Sequence, residues 1–199
     1  ALEAFARRAF PASFGKAVFV YDKPWWRDAG FSGSFVLSGV PDAVLSLGSD
    51  LCSDDDDNDN DDTSEDGKLF ALVGFFAGDP GAAAVSLSPQ ERQQRALRDV
   101  ESAFPNHVAD VRAFTHYLER LWHVDEFCKG CSSLVLPPGL MTACPPAVHA
   151  PRGQRVPGWG LPGESELWLT GTDVATEFVG YMEGAVRDGV RTGRAVALS

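Results

Sequence analysis

The positions of apolar residues divide the chain into strand-like and helix-like stretches. The segments KAVFVY from Lys16 and SFVLSG from Ser34 are rich in β-branched and aromatic residues and are separated by a loop, so both are predicted strands. The run KLFALVGFFAG from Lys68 is continuously apolar, which is typical of a strand covered on both faces. We expect Trp25 and Trp26, between the first two strands, to pack under a loop.

A helix is predicted to begin after the third strand. Ser88 is a suitable N-cap, Pro89 suits the first helical position, and Glu91 is placed to bond back to the cap amide. One face of this helix is apolar and carries Ala96, Leu97, Val100 and Phe104. Pro105 ends the helix, and the stretch 111–122 that follows fits a helix or a strand equally well.

The last part of the chain is predicted to be an irregular loop followed by a strand and a helix. Pro and Gly are frequent over 137–163, and ELWLTG, at 166–171, is a predicted short buried strand. The apolar stripe of the final helix comprises Phe178, Tyr181, Met182, Ala185 and Val186. Core packing is the simplest interpretation of this stripe, above all for Phe178 and Val186. Glu183 and Arg187 are four residues apart and predict a surface ion pair.

The net charge of −11 is concentrated in one place. Ten of the 28 acidic residues lie within 50–66, where there is no basic residue, so the rest of the chain is nearly neutral. The run is predicted to be a disordered, solvated surface insertion. A calcium loop is not predicted, because its best frame, starting at Asp62, has Val73 where a Glu ligand is required. Clustered basic residues are absent, which argues against nucleic acid as a partner.

Other broad features give weaker information. No apolar run approaches the roughly 18 residues of a membrane span, and ALEAFARRAF has no signal-peptide pattern. We therefore expect no membrane partner for this chain. Four cysteines are too few for a disulfide scaffold of this size, which mildly favours an intracellular, reducing compartment. The start at Ala1 suggests a truncated chain.

A possible cofactor contact appears near the end of the chain. In GTDVATEFVGYMEGAV, a Gly-Thr-acid turn leads to a helix that opens near Gly180, and a helix N-terminus favours negative charge. No glycine-rich loop that would cradle a dinucleotide precedes this segment. A purely structural turn would use the same glycines.

The segment GTDVATEFVGYMEGAVRDGVRTGRAV resembles the carboxy-terminal, flavin-contacting segment of the flavin-dependent amine oxidases. GKAVFVYDKPWWRDAGFSGS, DDTSEDGKLFALVGFFAG and CKGCSSLVLPPGLMTA occur in the order expected of the monoamine-oxidase branch. The resemblance implies an α+β fold, with a substrate-binding domain of mixed sheet and helices over 1–136, interrupted by the acidic insertion. Residues 137–199 would be a loop and the returning strand and helix of an α/β FAD-binding domain. The chain would then be a carboxy-terminal fragment without the amino-terminal Rossmann unit, inactive by itself.

The resemblance also implies residue roles. Lys16 matches the lysine that reaches the flavin through a water and assists its reaction with oxygen, and Trp122 matches a tryptophan near the flavin. Tyr181 matches an aromatic wall that guides the amine. The residues implied to contact FAD in the turn and at the helix start are Gly171, Thr172, Asp173, Gly180 and Met182.

Cys131 matches the cysteine to which monoamine oxidases attach their flavin covalently. Other interpretations stay open, because Cys128 and Cys131 form a C-x-x-C pair. No second pair completes a zinc site, and His123 with Cys144 makes a poor ligand set, so we predict no metal. A thioredoxin-type site would need a helix at the first cysteine, whereas SSLVLPPG suggests extended chain. A free buried thiol is the remaining alternative.

The resemblance implies an FAD-dependent amine oxidase, which would oxidise a primary or secondary amine to an imine and reduce molecular oxygen to hydrogen peroxide. Ser132 stands where the family has a second aromatic wall, which leaves the substrate class open. Oxidation of a polyamine or an L-amino acid is an alternative within the superfamily. An inactive remnant that binds other molecules through its acidic run is an alternative from another class, and a homodimer is left open.

Overall fold

The computed structural model describes residues 7–53, 68–131, 134–143, 168 and 170–197. These residues belong to two compact units, one formed by 13–131 and the other by 1–12 with 132–199. Residues 54–67, most of the predicted acidic insertion, lie outside the described part. Among the described helices, none is both long and apolar enough to cross a membrane.

The secondary structure alternates short strands with helices. The strands are β1 (Phe10–Pro11), β2 (Phe14–Tyr21), β3 (Phe35–Val36), β4 (Leu47–Asp50), β5 (Phe70–Ala77), β6 (His116–Leu121) and β7 (Leu134–Val135). The α-helices are α1 (Trp25–Asp28), α2 (Gly78–Ala84), α3 (Pro89–Ala103), α4 (Val108–Arg112), α5 (Leu140–Ala143) and α6 (Met182–Ala197). In the described part of the chain, 3₁₀ turns comprise Trp122–Val124 and Thr172–Val174.

The unit 13–131 is built on an antiparallel sheet with strand order β3-β4-β5-β2-β6. Strand β2 lies between β5 and β6 and pairs with β5 along its whole length. The predicted strand from Lys16 is therefore confirmed, while SFVLSG contributes only the two residues of β3. The prediction that the KLFALVGFFAG strand is covered on both faces is also confirmed, because Ala71, Leu72, Val73 and Phe76 are all buried.

Trp25 and Trp26 anchor the core of this unit, as predicted, although they lie in the short helix α1 rather than under a loop. The Trp26 indole Nε1 donates to an Asp50 carboxylate oxygen at 2.9 Å, and Arg27 Nε donates to the same oxygen at 2.6 Å. Burial opposes ionisation of Asp50, but the donors from Arg27, Cys52 and Trp26 outweigh it and lower its pKa to about 2. This carboxylate thus fastens α1 to the end of β4.

Helix α3 begins and ends as the sequence predicts. Ser88 Oγ accepts from the Glu91 amide at 3.3 Å, and the Ser88 amide donates back to the Glu91 carboxylate at 2.9 Å, which completes a capping box. The helix ends at Ala103, two residues before Pro105. One carboxylate on its buried face had no signal in the sequence: Asp99 accepts from the amides of Val44 and Leu45, each at 2.8 Å.

The ambiguous stretch 111–122 contains both kinds of element, because α4 ends at Arg112 and β6 begins at His116. Within 137–163 the structure describes residues 137–143, which form a turn and the short helix α5, and 144–163 lie outside the described residues. Most of the predicted ELWLTG strand also lies outside the described residues. Trp168 and Thr170, which are described, are in neither a helix nor a strand.

In the unit 1–12 with 132–199, strand β1 pairs with β7, and Leu140 packs against Ala9 and Leu134. The final helix, α6, buries Gly184, Asp188 and Thr192, which are spaced four residues apart on one face. A Cβ on Gly184 would lie 2.3 Å from the carbonyl oxygen of Phe178, so only glycine allows this close approach.

The predicted core packing of Phe178 and Val186 is wrong in this structure. Val186 is 61% exposed, and Phe178 lies before the helix, is 53% exposed and has a positive φ of 53°. The physical reason is that α6 turns its row of small and polar residues inward instead of its apolar stripe. The Phe178 ring lies 4.9 Å from the guanidinium of Arg187. The predicted ion pair between Arg187 and Glu183 is confirmed, at 2.6 Å.

Candidate functional site

Lys16 lies against an aromatic surface within the unit 13–131. Its Nζ atom is 5.7 Å from the centre of the Phe75 ring and 5.8 Å from that of Trp122. The Phe14 ring bridges these two aromatics, with its centre 5.5 Å from Phe75 and 6.1 Å from Trp122. Lys16 is half-buried. The ammonium is therefore held over ring faces, which attract a cation, rather than extended into solvent.

Backbone pairing explains how Lys16 and Trp122, which are 106 positions apart in the chain, come close together. Lys16 pairs with Phe75 on β5 and with Arg120 on β6, and Trp122 follows the end of β6. His123 Nδ1 lies 3.3 Å from the Phe14 carbonyl oxygen, which holds the 3₁₀ turn to the start of β2. Arg120 forms an ion pair with Asp125, so its charge is partly neutralised beside Lys16.

The second group of predicted residues forms a stapled turn at the start of α6. Gly171 has φ 144° and ψ 177°, and Gly180 has φ 86°, both of which favour glycine. Thr172 Oγ1 accepts from the Gly180 amide at 2.7 Å and donates to the Tyr181 carbonyl oxygen at 2.9 Å. One hydroxyl therefore joins the turn to the helix entrance.

Asp173 ties the same turn to strand β7. Its carboxylate oxygen Oδ1 accepts from the Leu134 amide at 3.0 Å. The side chains of Tyr181 and Met182, by contrast, are 69% and 88% exposed. The first amides of a helix have no partner within the helix, so this end of α6 combines polar N–H groups with an uncovered aromatic ring.

Sequence reasoning missed Asp188, which supports the turn from inside. One oxygen of its buried carboxylate accepts from Thr170 Oγ1 at 2.9 Å and from the Gly171 amide at 3.0 Å. The other accepts from Arg191 Nε at 2.8 Å. Burial opposes ionisation of Asp188, but these donors outweigh it and lower its pKa. The only signal in the sequence was its place in the row of Gly184 and Thr192.

Cys131 follows a tightly bonded loop. Asp125 Oδ1 accepts from the amides of Phe127 and Cys128, at 3.0 and 3.1 Å, and the Asp125 carbonyl oxygen accepts from the Lys129 amide at 2.8 Å. Cys128 is exposed and Cys131 is half-buried, and both are free thiols. In the part of the chain that the structure describes, no three His, Cys, Asp or Glu side chains are grouped to hold a metal ion. Ser132 and Cys144 lie outside that part.

Proteins that bind a redox cofactor tune it with nearby charges and hydrogen-bond donors. The Lys16 ammonium and the amides at the start of α6 are groups of these two kinds. The sequence profile of the family described as flavin containing amine oxidoreductase matches residues 2–197. The chain belongs to this family.

Individual relatives agree with this assignment. The chain is 30% identical over 188 residues to a flavin-containing amine oxidase of Danio rerio, covering 91% of this chain and 30% of that protein. It is 28% identical over 181 residues to a probable flavin-containing monoamine oxidase A of Dictyostelium discoideum, covering 91% and 33%. The chain thus spans about a third of the length of the curated relatives it matches.

Solved structures share the fold. A double mutant of putrescine oxidase superposes with a TM-score of 0.77 at 20% identity, covering 99% of this chain and 37% of that one. Cyclohexylamine oxidase from Brevibacterium oxydans superposes with a TM-score of 0.74 at 23% identity, covering 96% and 36%. The predicted α+β class, as part of the amine oxidase fold, is therefore confirmed.

The family implies FAD as the cofactor, and the residues at the start of α6 fit such a group. A Cβ added to Gly171 would meet no atom within 4 Å, so the turn has open space on that side, and the Tyr181 ring is uncovered. The spacing G-x-G-x-x-G occurs at 158–163, outside the described residues. In the sequence it stands within the Pro- and Gly-rich stretch 137–163 and before the predicted ELWLTG strand, which is not the order of strand, loop and helix expected of a dinucleotide loop.

Proposed function

We propose that this chain is part of an FAD-dependent amine oxidase that converts a primary or secondary amine to an imine and reduces molecular oxygen to hydrogen peroxide. When bound, the flavin would take up a hydride equivalent from the amine and pass two electrons to oxygen. The observation that carries the proposal is the Lys16 ammonium held over the Phe75 and Trp122 rings. Within this family, a cation on an aromatic surface is suited to stabilise negative charge that develops on oxygen.

In this proposal, residues 1–136 bind the substrate and residues 137–199 contribute to the FAD-binding domain. Tyr181 guides the amine with its ring, and its exposed face supports that role. The α6 amides and the turn would hold the flavin edge that gains negative charge, because the positive end of the helix dipole lies there. The residues assigned to this contact are Gly171, Thr172, Asp173, Gly180 and Met182.

The amine oxidase proposal is tested on the full-length protein that contains this chain. We expect peroxide release, measured by a coupled peroxidase assay, with at least one amine of a panel containing an arylalkylamine, cyclohexylamine, putrescine and an L-amino acid. The responding amine decides between the monoamine, polyamine and amino-acid alternatives. Absence of peroxide with every amine, in a protein whose coding sequence lacks a glycine-rich strand-turn-helix before Ala1, would support the inactive binding module instead.

We also propose that Cys131 carries the flavin covalently, because it is half-buried and ends a loop fixed by Asp125. After acid precipitation of the full-length protein, the pellet should keep the yellow flavin colour. Cys131→Ser should release all of it to the supernatant, whereas Cys52→Ser, the matched control, should behave as the wild type. A colourless wild-type pellet would refute the covalent link but not the oxidase activity.

A further inference from the structure

His123 follows Trp122 in the chain, and the function proposed above gives it no role. Its ring nitrogen Nδ1 lies 3.3 Å from the carbonyl oxygen of Phe14. We propose that His123 is a positioning residue for the reaction with oxygen. Through this hydrogen bond it fixes Trp122, and with Trp122 the aromatic surface on which the Lys16 ammonium lies. This role rests on the proposed function, which assigns Lys16 to the oxygen reaction.

The hydrogen bond lies just beyond the end of the pairing between β2 and β6. The last residue pair of the two strands at this end is Gly15 with Leu121. Phe14 and Trp122 are the next residues outward, and Trp122 begins the 3₁₀ turn that follows β6. Strand pairing therefore stops before Trp122, and side-chain contacts have to hold this residue beside β2.

Two contacts join the start of β2 to this turn. The Phe14 ring stacks on the Trp122 ring, with the ring centres 6.1 Å apart and the planes at 24°. The His123 imidazole reaches back to the Phe14 carbonyl oxygen. The apolar part of a ring contact has no preferred direction, whereas a hydrogen bond weakens steeply away from its preferred geometry. The imidazole contact is therefore the one that sets the position of the turn.

The surroundings of Lys16 depend on the position of this turn. Phe14 and Lys16 are two residues apart on β2, so their side chains lie on the same face of the sheet. The Lys16 Nζ atom is 5.7 Å from the centre of the Phe75 ring and 5.8 Å from that of Trp122. Phe75 is fixed by its pairing with Lys16 on the neighbouring strand. Trp122 is the part of this aromatic surface that strand pairing does not fix, and His123 holds it.

The same contact assigns the proton on the His123 ring. A carbonyl oxygen only accepts, so Nδ1 of the neutral ring carries the hydrogen and Nε2 carries the lone pair. The Nε2 atom is buried and has no hydrogen-bond partner among the described residues. Because Nε2 is buried, it is not open to a substrate. The role that fits His123 is therefore to hold other groups in place through Nδ1.

Two amide side chains test whether the Nδ1 position matters. The side-chain nitrogen of asparagine can take the place of Nδ1, so His123→Asn keeps a donor for the Phe14 carbonyl oxygen. Glutamine is longer and places its amide near the position of Nε2, which has no partner. His123→Ala removes both nitrogens. The matched control is His116→Ala, which removes an exposed histidine at the other end of β6.

The first measurement is stopped-flow absorbance of the full-length protein. We expect oxidation of the reduced flavin by oxygen to be roughly three- to tenfold slower in His123→Ala and His123→Gln. His123→Asn and His116→Ala should stay close to the wild type. Reduction of the flavin by the amine should be nearly equal in all of them. In the Lys16→Met protein, His123→Ala should cause no further slowing, because the charge that it positions is gone.

The second measurement does not depend on the flavin reaction. Full-length protein labelled with 5-fluorotryptophan gives a fluorine NMR signal for each tryptophan, and Trp122→Phe identifies the signal of Trp122. This signal should shift in His123→Ala and His123→Gln and return towards its wild-type position in His123→Asn.

An unshifted Trp122 signal in His123→Ala would overturn the inference. So would wild-type reoxidation in His123→Ala when Lys16→Met is slow. Equal behaviour of His123→Asn and His123→Gln in both measurements would also overturn it, even if His123→Ala did not fold. Wild-type reoxidation in Lys16→Met, with a Trp122 signal that responds to position 123 as expected, would instead refute the oxygen role of Lys16 and uphold the hold of His123 on Trp122.

Discussion

Replacing Asp188 with alanine is expected to lower the free energy of unfolding by about 3 kcal/mol and to weaken flavin retention in the full-length protein. The buried carboxylate holds Thr170, the Gly171 amide and Arg191 together. Its removal takes the acceptor away from these three donors, and because the donors are partly exposed the loss lies at the lower end of the range for buried ion pairs. Urea unfolding followed by circular dichroism, together with flavin fluorescence in the filtrate, measures both effects.

The same helix offers a matched control. Glu183 forms an exposed ion pair with Arg187, so Glu183→Gln should change the free energy of unfolding by less than about 1 kcal/mol. Asp188→Asn keeps an acceptor for the turn but loses the charge that faces Arg191, and we expect an intermediate result. If Asp188→Ala unfolded like Glu183→Gln and kept its flavin, the supporting role of Asp188 would be wrong.

The lowered pKa of Asp188 gives the pH dependence of this contribution. Its pKa in the folded protein lies below the ordinary aspartate value, so the contribution is complete above that ordinary value and is lost as the pH falls through the folded one. The difference in stability between the wild type and Asp188→Ala should therefore be constant near neutral pH and shrink only in acid.

Local signals were the most reliable part of the sequence. The cap of α3 could be predicted because Ser88, Pro89 and Glu91 act on each other within one helical turn. The burial of β5 followed from its unbroken apolar run. Strand order, in contrast, depends on partners far apart in the chain, and no local pattern predicts that β2 lies between β5 and β6.

Helix α6 shows why apolar periodicity fails in particular cases. An apolar stripe such as Met182 and Val186 shows which face of the helix is apolar. It does not show which face of the helix packs against the rest of its unit. Here Gly184 must face inward, because the Phe178 carbonyl approaches too closely for any side chain, and Asp188 follows on the same face one turn later. The inward position of a single charged residue in an amphipathic helix has no reliable sequence signal.

The residues proposed for the candidate site come mainly from the family resemblance. Spacing alone would have placed Lys16 at a strand start as a solvated charge, and its approach to Trp122 depends on the pairing of β2 with β6. The Thr172 bridge to Gly180 and Tyr181 was not foreseen either, since it requires the turn to fold back over eight or nine residues. Residue types indicated the chemistry, whereas the long-range hydrogen bonds that hold them emerged only from the structure.

From the role proposed for Lys16, its replacement with methionine should slow the reaction of the reduced flavin with oxygen by roughly 10- to 100-fold, because a fixed charge beside developing negative charge on oxygen is worth a few kcal/mol. Reduction of the flavin by the amine should change much less, since Lys16 has no proposed role in that half-reaction. Methionine packs well against the Phe75 and Trp122 rings, so the fold should be preserved. Stopped-flow absorbance of the full-length protein measures the two half-reactions separately.

Two further variants test whether the oxygen reaction needs a positive charge and whether that charge must lie at position 16. Lys23→Met removes an exposed lysine just beyond the other end of β2 and should leave both half-reactions unchanged. Lys16→Arg keeps a cation on the aromatic surface and should recover part of the rate with oxygen. Equal rates of reoxidation in the wild type and Lys16→Met, in proteins with equal melting temperatures, would remove Lys16 from the oxygen reaction and leave it a structural role on the sheet.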